Sequence, residues 1–431
     1  MPQTHFAFGQ TGLTLSLPEG RDYHLIESRS ARPLPDPLAA INEALENPIA
    51  GPSLRSLATG KHSAAISVCD ITRPAPNRLT LPPILLRLQQ AGIPAERTVI
   101  LIATGLHRAA TPEELDIILG PEIASTYRII NHDARDLAAH RHLGSTRRGT
   151  PIYIDEHFMT ADLHITLGFI EQHLMLGFSG GRKLIAPGLA AEPTIKTIHS
   201  PRFMREPLAT EGSIEGNPLH AELLEIAAAA RHDFLLDVTL TQSPQSQAME
   251  ISGVFAGSPV EAHAAGVDFL RRTSLEPVDA LADLVITSAA GHPLDLTLYQ
   301  TIKGITAAAH LVKPGGRGRI LILGECREGA GSPEFTAMLR RFTSYEDLLS
   351  ELSTAPVEID QWQLEKLALT GLNHELFLHT PGVPASDLGA LANHTYATPE
   401  GAVEAALRDL PQHARIALVP EGPYVFARVP S

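Results

Sequence analysis

Residues 163–183 read LHITLGFIEQHLMLGFSGGRK, and the rest of the chain is organised around them. Residues 163–167 (LHITL) form an apolar run of the length of a buried strand. The strand runs directly into a loop that collects His173, the small residues Gly177, Ser179, Gly180 and Gly181, and the pair Arg182-Lys183, with His199 further on. Glycines admit backbone conformations that a Cβ blocks, and a run of unobstructed N–H groups can cradle an anion. Lysine is scarce: Lys61, Lys183, Lys196, Lys303, Lys313 and Lys366 are the whole set among 34 Lys+Arg. A lysine closing this run points to work reserved for a primary amine, covalent attachment or a tuned pKa. An ordinary surface lysine is the plainer alternative.

Similar strands recur on both sides. Residues 63–69 (SAAISVC), 98–103 (TVILIA), 126–130, 283–287 (DLVIT), 319–323 (RILIL) and 415–419 are further candidates. Between them, Asp36-Pro37 and Thr111-Pro112 open helices with a capping residue followed by proline. A helix from about Leu81 to Gln90 stops at Gly92. Other helices are expected near 296–312, 333–352 and 361–370. Residues 6–30 read as a short β region, and 217–275 as helical early and mixed later. Short apolar strands alternating with helices imply parallel sheets covered on both faces. The pattern restarts near residue 280. The expected fold is therefore α/β with two domains, 1–277 and 278–431, each a mainly parallel sheet flanked by helices. Asp70 and Arg73, His107, residues 171–183 and residues 288–295 each come directly after an expected strand. In open α/β sheets ligands bind beyond the carboxyl ends of the strands, so the active site is expected in the cleft between the domains.

A length of 431 residues exceeds one ordinary core. The net charge of −14 argues against nucleic acid as a bulk partner. Cys69 and Cys326 have no metal spacing and fit a reducing compartment. The start, MPQTHFAFGQ, has no signal-peptide pattern, and no apolar run reaches the roughly 18 residues of a membrane span. A soluble cytoplasmic protein is expected.

Three groups of side chains carry candidate chemistry. His107, His173 and His199 stand at or near strand ends, where histidines serve as acid/bases or metal ligands; with 20 histidines in the chain, coincidence is the alternative. Asp70 and Arg73 sit in DITRP, either holding a carboxylate or phosphate or fixing the turn as a salt bridge. Gln300 and Lys303 are neighbours on one helix face beside Tyr299, suited to a hydroxy acid or simply to solvent. Gly177–Gly181 also matches G-x-S-x-G, but the elbow needs a strand immediately before and a helix immediately after, and Pro187 interrupts the segment after it. The spacing to Lys183 is not that of a phosphate-binding P-loop, and Leu184 stands where Ser or Thr belongs.

Taken together, DITRPAP, TGLHR, HLMLGFSGGRK, the later His199 and YQTIK resemble the nickel-dependent lactate racemase family. The resemblance implies a nickel pincer nucleotide attached covalently to Lys183, with Asp70, Gly180 and Gly181 around it and His199 as nickel ligand. It implies His107 and His173 as paired acid/bases. Arg73, Tyr299, Gln300, Lys303 and, more loosely, Trp362 would face the substrate. The implied reaction is racemisation or epimerisation of a 2-hydroxy acid by reversible hydride transfer to the cofactor. Enzymes that make the cofactor are implied partners, and no membrane or nucleic acid is. Two other readings stand beside it: a hydrolase or lyase with zinc on the three histidines, and a non-catalytic protein that binds an anion or nucleotide.

Overall fold

The computed structural model describes residues 2–243 and 248–429. Two principal sheets carry the fold. In chain order their strands are β1 (Asp22–Leu25), β2 (Ala64–Cys69), β3 (Thr98–Ala103), β4 (Arg128–Asn131), β5 (Leu163–Ile170), β6 (Phe234–Gln242), β7 (Met249–Gly257), β8 (Leu284–Ser288), β9 (Gly318–Leu323), β10 (His374–His379) and β11 (Arg415–Val419).

The chain divides into two compact units, and neither is one continuous segment. The larger comprises residues 30–198 and 208–273; the smaller comprises residues 1–29, 199–207 and 274–431. A single boundary near 277 therefore does not describe the division. The cause lies in pairing inside the smaller unit. β1 adds to its sheet beside β11, with Tyr23 opposite Ile416. Residues 199–207 are tied to the helix Gln361–Gly371 by Arg205 Nε to Glu365 Oε1 at 2.5 Å and by Lys366 Nζ to the Met204 carbonyl at 2.8 Å.

The larger unit's sheet runs β7-β6-β5-β2-β3-β4, parallel except for the antiparallel edge strand β7. Every residue of β5 is buried, as a central parallel strand covered on both faces requires. Ile66, Ile100, Ile165 and Leu236 contribute to the core on this sheet. The smaller unit's sheet is wholly parallel, β10-β9-β8-β11-β1. Helices form where the local signals place them. Asp36 accepts from Ala39 N–H at 2.9 Å, and Thr111 and Glu114 close a capping box around Pro112–Leu119. The helix Asn77–Gln90 begins four residues ahead of the expected Leu81. The mixed segment after 230 resolves into β6 and β7, and β10 and the helix Pro399–Leu407 are further elements that the sequence pattern did not signal.

A buried ionic contact ties β4's end to the segment after the lysine loop. His132 faces Asp155 Oδ2 through Nδ1 and the Ala190 carbonyl through Nε2, both at 3.0 Å. Burial favours the neutral form of Asp155, but the His132 contact and the His157 N–H outweigh it, so its pKa lies below the ordinary range. A carboxyl depressed in the folded state stabilises above its unfolded pKa of about 3.9 and loses that contribution as pH falls through the lower folded value. Urea midpoints measured from about pH 5 down to pH 3 should therefore fall more steeply for the wild type than for Asp155→Asn.

Candidate active site

In the larger unit the chain leaves β2 toward β3 and leaves β5 toward β6, so the connections diverge between the adjacent strands β2 and β5. This is the topological switch point, where parallel sheets open a crevice at their carboxyl ends. The DITRP turn comes after β2, and the loop ending in Lys183 comes after β5. Cys69 closes β2. Burial pushes its thiol up to about 12, against the nearby charges of Arg73 and Lys183, which favour the thiolate. Arg73 and Lys183 thus act on the same strand end.

Asp70 is buried and fully engaged. One oxygen accepts from Thr72 N–H at 3.2 Å and from its hydroxyl at 2.6 Å. The other lies 2.7 Å from His107 Nδ1. Burial works to raise the Asp70 pKa, yet the bonds from His107 and Thr72 and the charge of Arg73 hold it below the ordinary range. An ionised carboxylate only accepts, so His107 must donate from Nδ1, which leaves the Nε2 lone pair as a base. The ring itself is 54% exposed, as a group meeting a ligand needs to be. Asp70 is thereby placed to orient His107.

His173 is held in the opposite sense. It sits on a short hairpin of Gln172–His173 with Gly177–Phe178. Its Nδ1 accepts from Leu176 N–H at 3.3 Å. A neutral imidazole that accepts at Nδ1 carries its proton on Nε2. One histidine therefore presents a lone pair and the other an N–H.

The glycine run does not form an open anion cradle. Gly181 N–H is bonded to Asp237 Oδ2 at 2.8 Å, Ser179 N–H to the Glu171 carbonyl at 2.9 Å, and Lys183 N–H to the Gly180 carbonyl at 3.1 Å. The anion held by Gly181 is one of the protein's own. Arg182 and Lys183 also part company: Arg182 is buried, while Lys183 is half-exposed between it and buried Leu184. Ser179 is no elbow nucleophile. It is buried, and its hydroxyl donates to the Phe169 carbonyl at 3.0 Å.

In the smaller unit, Tyr299, Gln300 and Lys303 stand on the helix Leu298–Ala308, which Thr297 caps. Trp362 Nε1 donates to the Tyr299 hydroxyl at 3.0 Å, and the Trp362 ring lies 4.5 Å from the His199 ring. The loosely aligned tryptophan thus connects His199 with Tyr299. Gln300 Oε1 is buried with no hydrogen-bond partner. Among the described residues no group of three or more His, Cys, Asp or Glu is arranged to hold a metal ion. None of the described helices is long and apolar enough to cross a membrane. Sequence reasoning missed Asp237 and His263. An acid inside the apolar run FLLDVTL was the available signal.

Known proteins match the chain throughout. The family model for the lactate racemase N-terminal domain matches residues 8–212, and that for the lactate racemase C-terminal domain matches 278–427. The lactate racemase of Thermoanaerobacterium thermosaccharolyticum is 32% identical over 448 residues, 99% of this chain and 100% of that protein. The lactate racemase of Lactiplantibacillus plantarum is 33% identical over 389 residues, 89% of each chain. The solved lactate racemase apoprotein from T. thermosaccharolyticum superposes with a TM-score of 0.88 at 30% identity, over 99% of this chain and 100% of that one. A Thermotoga maritima protein shares the fold, with a TM-score of 0.67 at 17% identity over 93% of this chain and 100% of that one.

Nitrogen-15 NMR of the histidine rings tests the assigned protonation directly. Near pH 8 the His107 signals should report a proton on Nδ1 and those of His173 a proton on Nε2. In Asp70→Asn the His107 preference should weaken to a mixture of tautomers while His173 is unchanged.

Proposed function

The chain belongs to the lactate racemase family, and we propose that it racemises lactate or a closely related 2-hydroxy carboxylate with a nickel pincer nucleotide attached to Lys183. The observation that carries this reading is the opposite surroundings of Nδ1 in His107 and His173, a carboxylate oxygen in one and a backbone N–H in the other. Inverting a carbinol carbon through a planar keto acid takes a base for the hydroxyl proton on the way in and an acid for the oxygen on the way out. A neutral His107 supplies the base, its imidazolium then supplies the acid, and the Nε2–H of His173 supplies a hydrogen bond to the oxygen.

The residues present fit the proposed group. Lys183 is the half-exposed amine in a run of buried neighbours. His199, whose ring lies 4.5 Å from that of Trp362, would be the protein's ligand to the metal. When bound, the group supplies a ring carbon that takes a hydride from the substrate and returns it.

The protein's own part is orientation and proton movement. His107 Nε2, steadied by Asp70 behind it, accepts the hydroxyl proton. The imidazolium so formed at His107 returns the proton to the oxygen after inversion, and His173 Nε2–H donates a hydrogen bond to that oxygen. Arg73 is proposed to pair with the carboxylate as a bidentate partner; Lys303, in the smaller unit, is a proposed substrate-binding cation. In the smaller unit Gln300 Oε1, buried without a partner, is an acceptor open to a donor group of a ligand.

Lactate deuterated at Cα should keep most of its deuterium after inversion in ordinary water; rapid wash-out would replace hydride transfer by simple proton abstraction. In a host that also makes the cofactor, the wild-type chain should show nickel and a mass adduct on the peptide containing Lys183. Lys183→Ala should lose adduct and turnover together and keep its thermal midpoint within a few degrees. A Lys183→Ala protein that still racemises would remove the lysine from this role.

A further inference from the structure

One buried charge set takes no part in the proposed reaction. Asp237 has no exposed surface and lies in β6 opposite Gly168 of β5. Its Oδ2 accepts the Gly181 N–H at 2.8 Å. The loop closes over this carboxylate with no room to spare. A Cβ at Gly180, where φ is +81°, would lie 2.4 Å from Oδ2, and one at Gly168 would lie 3.1 Å from Oδ1. Gly180 of the lysine loop is therefore cleared for the protein's own carboxylate.

Arg182 gathers the loop from within. Its guanidinium donates to the carbonyls of Leu176 at 3.2 Å and Phe178 at 3.0 Å, and to His263 Nε2 at 2.8 Å. Longer contacts reach the carbonyls of Ser179 at 3.5 Å and Gly180 at 3.4 Å. Burial pushes the Asp237 carboxyl up to about 7, against the pull of the Gly181 N–H and the Arg182 charge. Arg182 is drawn inward, while the next residue along the turn, Lys183, is only half-buried.

We propose that Asp237 is a positioning residue for Lys183: its carboxylate, bonded to the Gly181 N–H and closely overlain by Gly180, fixes the turn at 180–182 and so fixes where the Lys183 amine is presented. The proposal deepens the reading that Lys183 carries the cofactor and rests on it. A role confined to stability would alter the thermal midpoint without singling out one lysine.

The test compares wild type with Asp237→Ala, both folded by circular dichroism. In cofactor-free protein, amine-acylation rates are read by peptide mass spectrometry, Lys183 relative to exposed Lys61. In protein co-expressed with the cofactor-making enzymes, adduct occupancy at Lys183 is read the same way. The relative Lys183 rate should change at least fivefold in either direction, and occupancy should fall at least fivefold. A smaller change in both overturns the proposal. If Asp237→Ala does not fold, Gly180→Ala is measured instead, because its Cβ displaces the loop from the carboxylate while leaving every charge in place; the same thresholds decide. A wild type without adduct, combined with the fivefold change in acylation, would reject the covalent-attachment reading and leave the positioning role standing.

Discussion

The parallel pairing of β2 with β5 is the constraint on which the rest of the larger unit depends. Val68 stands opposite Leu167, so the two strands end almost level. Asp70 leaves one strand where Phe169 and Ile170 finish the other. Backbone hydrogen bonds set this register, and a slip of one residue would turn every side chain of β5 to the opposite face. With both faces of β5 buried, such a slip would expose neither face to water but would misplace the whole core. The divergence of connections between these strands leaves the carboxyl edge open for polar side chains, the one place in a dry sheet where they can meet a ligand.

Hydrogen bonding then separates residues of one kind into different roles. His107 and His173 are the same side chain near the same sheet edge. A buried carboxylate makes one a donor at Nδ1, and a backbone N–H makes the other an acceptor there. Arg182 and Lys183 are adjacent cations, yet the carbonyls of Leu176 and Phe178 claim the first and leave the second at the surface. Arg182 and Asp237 are both buried and hold the same loop from two sides, the guanidinium through the carbonyls of Leu176 and Phe178 and the carboxylate through the Gly181 N–H.

The smaller unit uses the same architecture differently. Its connections diverge between β8 and β11, but the chain's first residues close that end. Ala7 N–H donates to the Pro420 carbonyl at 3.0 Å, and Gly9 N–H donates to the buried Asp295 carboxylate at 2.6 Å. Residues 288–295, read from the sequence as candidates for a ligand rim, thus serve the fold: the Ser288 hydroxyl donates to the Pro420 carbonyl at 2.5 Å. Tyr299, Trp362 and His199 form a separate line of contacts on the helices Leu298–Ala308 and Gln361–Gly371.

By itself the sequence determined the α/β class, most of the central strands, the helix starts at Asp36 and Thr111, and the position of DITRP, TGLHR and the lysine loop at strand ends. These come from apolar periodicity, capping and proline placement, which act within a few residues of one another. The family resemblance added candidate roles to the same residues. Only the tertiary structure decided which groups meet. Asp70 and His107 are 37 residues apart, and Gly181 and Asp237 are 56 apart. It also decided that residues 1–29 fold with the C-terminal half, since β1 takes its place by pairing with β11 almost four hundred residues later. The physical reason is the same in each case. A carboxylate acquires its role from the strand that happens to lie beside it, and strand order is set by the burial of whole sheets rather than by any short stretch of chain.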